Sequence, residues 1–322
     1  MGSTGLKRYS IDPATRVFLE SELAKGGPEL YSMSVEQARE SFSGYGDKSI
    51  PQIPALVEDY TISVPSNKRL KIRIVKPENS KNPLPVLMYF HGGGWMLGDA
   101  DTYDRLVREI SVRVNVAVVF VEYSRTPEAK YPVAIEEAYN ATLYVAEHGK
   151  EFNIDSSHLA VAGDSSGGNM AIITTMLAKE RGGPKISYQV LYYPVTDADF
   201  TRPSYTEFTN GYFLSREEVE YFWNHYVPDK QQRYSPKISP LRSSVRDLEG
   251  LPPALVITAE LDVLRDEGED YGHKLMEANV PTTSVRINGT VHGFISVDQL
   301  RNASPSIAAA NLTKDTLQRH LH

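Results

Sequence analysis

Residues 161–170 read Val-Ala-Gly-Asp-Ser-Ser-Gly-Gly-Asn-Met and contain one G-x-S-x-G, Gly163-Asp164-Ser165-Ser166-Gly167. The frame is fixed, because a nucleophile at Ser166 would need glycine at 164, where the chain has Asp. An apolar run, Leu159 to Ala162, leads into the motif, and a helical pattern of Met170, Ile173, Thr174 and Leu177 leads out. Ser165 therefore falls on a strand-to-helix turn, where its hydroxyl is exposed to attack an acyl carbon. Such a turn brings strand and helix close together, and Gly163, Gly167 and Gly168 give it room. The helix that follows directs its positive end at any anion formed beside the serine.

A serine hydroxyl attacks efficiently only when a histidine takes its proton and a carboxylate holds that histidine in one tautomer. Of eight histidines, His292 stands in Asn288-Gly289-Thr290-Val291-His292-Gly293-Phe294, read as a loop after the last predicted strand and at the same sheet edge as Ser165. His148 and His158 flank the segment before the serine strand, His225 and His273 fall in predicted helices, and His320 and His322 sit at a terminus expected to fray. Asp262 follows the predicted strand Ala254 to Ala259 by three residues and is the acid of choice. Glu260 is its nearest rival, Asp197 and Asp199 are compatible by spacing, and Asp266 and Glu267 read as helix N-terminal acids with an ordinary dipole role. The order Ser, Asp, His along the chain suits a sheet enzyme of this kind.

Attack on an acyl carbon also needs fixed N–H donors for the developing oxyanion, each contributing about 3 kcal/mol. His91-Gly92-Gly93-Gly94-Trp95 follows a buried apolar strand, and the donors expected are the amides of Gly93, Gly94 and Ser166. Neither a G-x-x-x-x-G-K-[ST] nor a G-x-G-x-x-G context accompanies this loop, which argues against nucleotide binding.

These residues need a sheet to carry them. Tyr60 to Val64 and Leu70 to Ile74 alternate as half-buried strands expected to run antiparallel, whereas 85–90 and 114–121 are continuous apolar runs of strands covered on both faces. Helices fit between them, one with Tyr103, Leu106, Val107, Ile110 and Val114 on one face and one over 132–148. Strands at 159–162, 188–193, 254–259 and 283–287 complete about eight, in an α/β doubly wound, mostly parallel sheet. Upstream, Asp12 and Pro13 start a helix that Gly26-Gly27-Pro28 stops, and Ser34 with Gln37 forms a capping box for a second. One stretch, 197–250, is too long for a crossover and rich in aromatics, with a helix expected over 216–226 capped by Ser215 and Glu218. The division expected is a helical cap part at 1–55, a catalytic core at 56–196, an aromatic cap insertion at 197–250, and the rest of the core at 251–322. Trp95, Tyr212 and Phe213 are candidates for the pocket wall.

The 322 residues carry a net charge of −7 and no cysteine. The acidic balance, with no local run of Lys or Arg, argues against a nucleic-acid surface. The lack of cysteine excludes disulfides and thiolate chemistry. No apolar leader or run long enough to span a membrane is present, so the expectation is a cytoplasmic protein without a membrane span.

HGGGW at 91–95, GDSSGGN at 163–169, ELDVLRDEGEDY at 260–271 and VHGF at 291–294 together resemble the hormone-sensitive-lipase-like carboxylesterases of the α/β-hydrolase superfamily. The resemblance runs from about residue 55 to the end, and the helical start and aromatic insertion correspond to that family's cap. It implies an α/β-hydrolase fold, Ser165 as nucleophile, Asp262 as acid, His292 as base, the HGGG loop as oxyanion hole, and a structural role for His91. It further implies hydrolysis of short- to medium-chain acyl esters through an acyl-enzyme, with no cofactor or metal, a small-molecule ester as partner, and a homodimer as an assembly common in the family. The sequence departs from the family pattern in having Ser166 where Ala is common, Val263 where Pro usually follows the acid, and Glu122 to Glu128 in place of DYRLAPE. The same triad would serve an amidase, a deacetylase or a thioesterase, and relatives that lost catalysis bind ligands as receptors, although those typically lack the histidine.

Overall fold

The computed structural model describes residues 9–80 and 82–322. Eight strands form one sheet: β1 Leu56–Val64, β2 Asn67–Lys76, β3 Leu84–Phe90, β4 Ala117–Glu122, β5 Ile154–Asp164, β6 Tyr188–Tyr192, β7 Ala254–Leu261 and β8 Thr282–Val291. Their order is β1-β2-β4-β3-β5-β6-β7-β8. β2 runs antiparallel to both neighbours, and every pair from β4 to β8 is parallel. All seven residues of β3 are buried, as a strand sandwiched by helices must be.

The order matters for function. From β3 the chain crosses through α3 (Asp104–Val114) to β4 on one side, then returns through α4 (Val133–His148) to β5 on the other. The winding direction thus reverses between β3 and β5, which opens a crevice at their carboxyl ends where ligands bind in open α/β sheets. The HGGG loop leaves β3 there, and the turn bearing Ser165 leaves β5 there to enter α5 (Ser166–Arg181).

The expected helices α1 (Pro13–Lys25), capped by Asp12, and α2 (Val35–Ser43), closed by the Ser34–Gln37 capping box, are present; residues 1–8 of the proposed first segment lie outside the described residues. Between β6 and β7 the insertion holds α6 (Pro203–Glu207), α7 (Arg216–Tyr226), capped by Ser215 and Glu218, and α8 (Val245–Leu248). α9 (Arg265–Glu277) and α10 (Ser304–Leu321) complete the chain.

Three readings change. The strand expected from 114 starts at Ala117, because Val114 is the last residue of α3 and Asn115 turns the chain in a left-handed conformation. Asn288 to Val291, read as loop, continue β8, with Val291 paired to Leu261. His320 is not frayed: α10 buries Leu317 and Leu321, and the His320 ring stacks on Tyr188 at 4.2 Å.

Candidate active site

Ser165 sits between β5 and α5 with φ 57° and ψ −120°, a conformation that costs a non-glycine residue of order 1–3 kcal/mol. The surroundings impose it. Ser165 N–H donates to Tyr192 O at 2.9 Å, and Val195 N–H donates to Ser165 O at 3.0 Å. A Cβ on Gly163 would lie 2.2 Å from Gly167 O, and one on Gly167 only 1.9 Å from Phe90 O. Side chains at either position would push strand and helix apart.

His292 follows β8 and is almost buried. Its Nδ1 lies 2.8 Å from Asp262 Oδ2, and its Nε2 lies 3.0 Å from Ser165 Oγ. A carboxylate only accepts, so Asp262 fixes the proton on Nδ1 and leaves Nε2 free to accept from the serine hydroxyl. Asp262 Oδ1 accepts from Leu264 N–H at 2.9 Å, which locks the carboxylate in the turn after β7. Tyr193 presents its ring to His292 at 4.6 Å and holds φ 34°, with its backbone N–H on Ile257 O. Nothing in the sequence singled out Tyr193; the signal was its position at the end of a strand on the same edge.

The rival acids are engaged elsewhere. Glu260 Oε2 accepts from Gly289 N–H at 2.7 Å. Asp197 pairs with Arg202 and Arg242 at 3.1 and 2.8 Å, and Asp199 accepts from Thr201. Glu267 corrects the expected dipole role: it is fully buried, and its carboxylate accepts from Thr196 N–H, Asp197 N–H and Tyr205 Oη. Burial raises it to about 8 despite those donors.

The HGGG loop faces the serine. Gly93 and Gly94 have φ 93° and 61°, and their amide nitrogens take no protein acceptor among the described residues. The amide of Ser166, at the first position of α5, is likewise one a helix leaves without an intrahelical partner. Asp164 shapes this loop: its carboxylate accepts from Gly92 N–H at 3.0 Å, Tyr89 Oη at 2.9 Å and Tyr103 Oη at 3.0 Å. Complete burial still raises it to about 6. The Ser166 hydroxyl, at the position where the family commonly has Ala, accepts from Trp95 N–H at 3.2 Å and so ties helix to loop. His91 is buried, stacks on Tyr123 at 4.2 Å, and is lowered to about 3 by desolvation. An imidazole held neutral there serves as a packing element.

Over the row lies a cavity of about 450 Å³, bordered by Ser165, His292, Gly93 and Gly94 below and by α1, α2 and α7 above. Tyr212 and Phe213 border it from the insertion, Phe213 packing edge-on against Phe18 and Tyr45. Trp95 borders it too, but its ring is buried against Tyr226, stacked at 4.2 Å. No helix among the described residues is long and apolar enough to cross a membrane.

Comparison with known proteins agrees with this geometry. Residues 87–296 match the family model described as the alpha/beta hydrolase fold. The chain is 34% identical to a carboxylesterase of Mycobacterium tuberculosis, covering 98% of each, and 34% identical to an arylesterase of Saccharolobus solfataricus, covering 88% of this chain and 92% of that one. Among solved structures, a thermostable esterase from Pseudomonas putida superposes with a TM-score of 0.95 at 42% identity, covering 100% of this chain and 99% of that one. The chain belongs to the α/β-hydrolase family, in its hormone-sensitive-lipase-like carboxylesterase branch.

Proposed function

We propose that the protein is a serine carboxylesterase in which Ser165 attacks the ester carbonyl, His292 takes and returns the proton, and Asp262 holds and stabilises the imidazolium. The observation that carries this reading is the row Asp262 Oδ2 to His292 Nδ1 at 2.8 Å and His292 Nε2 to Ser165 Oγ at 3.0 Å, at the floor of a cavity. The carbonyl oxygen turns toward the amides of Gly93, Gly94 and Ser166, whose donors are aimed before charge develops and need no reorganisation. The alcohol leaves with the proton from Nε2, water enters, and the same steps release the acid.

Residues 1–55 and 197–250 act as a cap over a core of 56–196 and 251–322, supported by the borders of the cavity. That volume suits short- to medium-chain acyl groups. Trp95, Tyr212 and Phe213 are the wall we assign to the substrate. The cysteine-free, acidic composition supports a cytoplasmic location and no nucleic-acid partner; a homodimer remains the assembly expected of the branch.

Hydrolysis of p-nitrophenyl esters of two to twelve carbons tests the reading. Wild type turns over with a preference for the short and middle lengths, Ser165→Ala loses at least about 10³-fold in kcat, and Ser166→Ala stays active. Activity retained in Ser165→Ala would remove the proposed nucleophile, and a wild type inert to every ester would move the substrate to amides or thioesters.

A further inference from the structure

The cavity above Ser165 has an aromatic wall and an unbalanced set of charges. Phe42, Tyr45, Phe213 and Phe222 border it, and Glu22, Glu29 and Glu218 reach it from α1, the segment after α1, and α7. Lys25 is the one Lys or Arg on its border among the described residues, and its Nζ is held by Glu22 Oε1. The other oxygen of Glu22 accepts from Tyr45 Oη at 2.8 Å. Glu22 is thus satisfied by protein groups.

Glu218 is not. Ser215 N–H and Oγ both end on Oε2, at 2.7 and 2.9 Å, while Oε1 takes no protein donor among the described residues and is not sealed in the packing. Burial raises the Glu218 carboxyl, and Glu29 adds to the rise. The helix does not require this charge. A capping box needs an acceptor at its third position, which Gln supplies as well as Glu, and α2 of this chain uses Gln37 for that purpose. A largely desolvated carboxylate without a counter-charge is costly unless a ligand brings one.

We propose that the site selects esters whose non-reacting arm carries an ammonium group, and that Glu218 is the residue that sets this selectivity. The proposal rests on the hydrolase reading above and names the substrate class of the same cavity. The cation pairs with Glu218 Oε1, Glu29 adds attraction from the mouth, and the aromatic wall contributes cation–π attraction. An anionic arm meets the same carboxylates and is rejected.

The test compares choline with its uncharged isostere, 3,3-dimethylbutan-1-ol, as competitive inhibitors of p-nitrophenyl acetate hydrolysis, with calorimetric binding of both probes in parallel. In wild type the cation binds roughly tenfold tighter than the isostere, the scale of one desolvated charge contact. Glu218→Gln, which keeps the capping box, brings that ratio to roughly threefold or less, and Glu249→Gln, the same charge change at an exposed site away from the cavity, leaves the ratio at its wild-type value. Glu29→Gln, at an exposed residue, gives a smaller drop in the same direction and serves if Glu218→Gln does not fold. Equal binding of the two probes to wild type, or a full ratio in Glu218→Gln, overturns the proposal. Failure to hydrolyse p-nitrophenyl acetate would instead contradict the hydrolase reading, and the calorimetric ratio would still decide the charge preference.

Discussion

Asp164 shows how much of a serine site depends on a side chain that never meets substrate in the proposed reaction. Three donors converge on it, and one of them is the amide of Gly92, which sets the start of the His91–Gly94 loop. Asn at 164 has the same shape but loses the charge and one acceptor, so the Tyr103 hydroxyl that donates to Oδ2 has to turn and accept instead. That hydroxyl also accepts from Gly92 N–H at 3.1 Å, so the start of the loop, and the amides of Gly93 and Gly94 with it, are held less firmly. We expect Asp164→Asn to lower kcat roughly 10²-fold while KM changes little, because the lost contacts are those made to the transition state. A KM-only effect in steady-state kinetics would assign Asp164 to substrate binding instead. The sequence displayed Asp164 only as the variable residue inside G-x-S-x-G. Its partners Tyr89 and Tyr103 come from β3 and the start of α3, and such convergence depends on the fold.

At the scale of elements, the insertion is held to the core through the turn between β7 and α9. Ser204 donates through Oγ to Val263 O and through its amide to Asp266, and the Glu267 carboxylate collects the amides of Thr196 and Asp197. Asp262 lies in that same turn, so the insertion and the proposed acid of the triad share one support. Glu267 stands at about 8 in the folded protein against an ordinary carboxylate value near 4.5. Between those values the folded state keeps a proton that the unfolded chain releases, so stability falls as pH rises from about 4.5 to about 8, by up to about 1.4 kcal/mol per pH unit for this one group. Glu267→Gln lacks that slope. Urea unfolding should therefore find the variant gaining on wild type between about pH 5 and pH 9, and a pH-independent difference would show that Glu267 is ionised throughout. The periodicity located β7 and the helix after it but gave Glu267 an ordinary helix-dipole role, since an acid in a first turn looks the same whether it faces water or the core. α10 went unread because its stripe of Ala309, Thr313 and Leu317 is only weakly apolar.

For the molecule as a whole, the parts read correctly from sequence are those whose chemistry is local. The buried strands announced themselves as apolar runs and the Asp12, Ser34 and Ser215 caps by residue type; Ser165 and His292, singled out by motif and position, are brought to 3.0 Å from each other. What the sequence left open is long-range: the reversal of winding between β3 and β5 that opens the crevice, the ring of Tyr193 on His292, and the place of Glu218 on the border of the same cavity as Ser165. These depend on segments far apart in the chain, and no spacing rule encodes them. The central claim is a covalent one, that the acyl group is carried on Ser165. Intact-mass and peptide mapping after exposure to a fluorophosphonate tests it most directly. A single adduct on the peptide containing Ser165, absent in Ser165→Ala and slowed at least about tenfold in His292→Ala, is the predicted result. An adduct on another residue, or no adduct while ester hydrolysis continues, would contradict it.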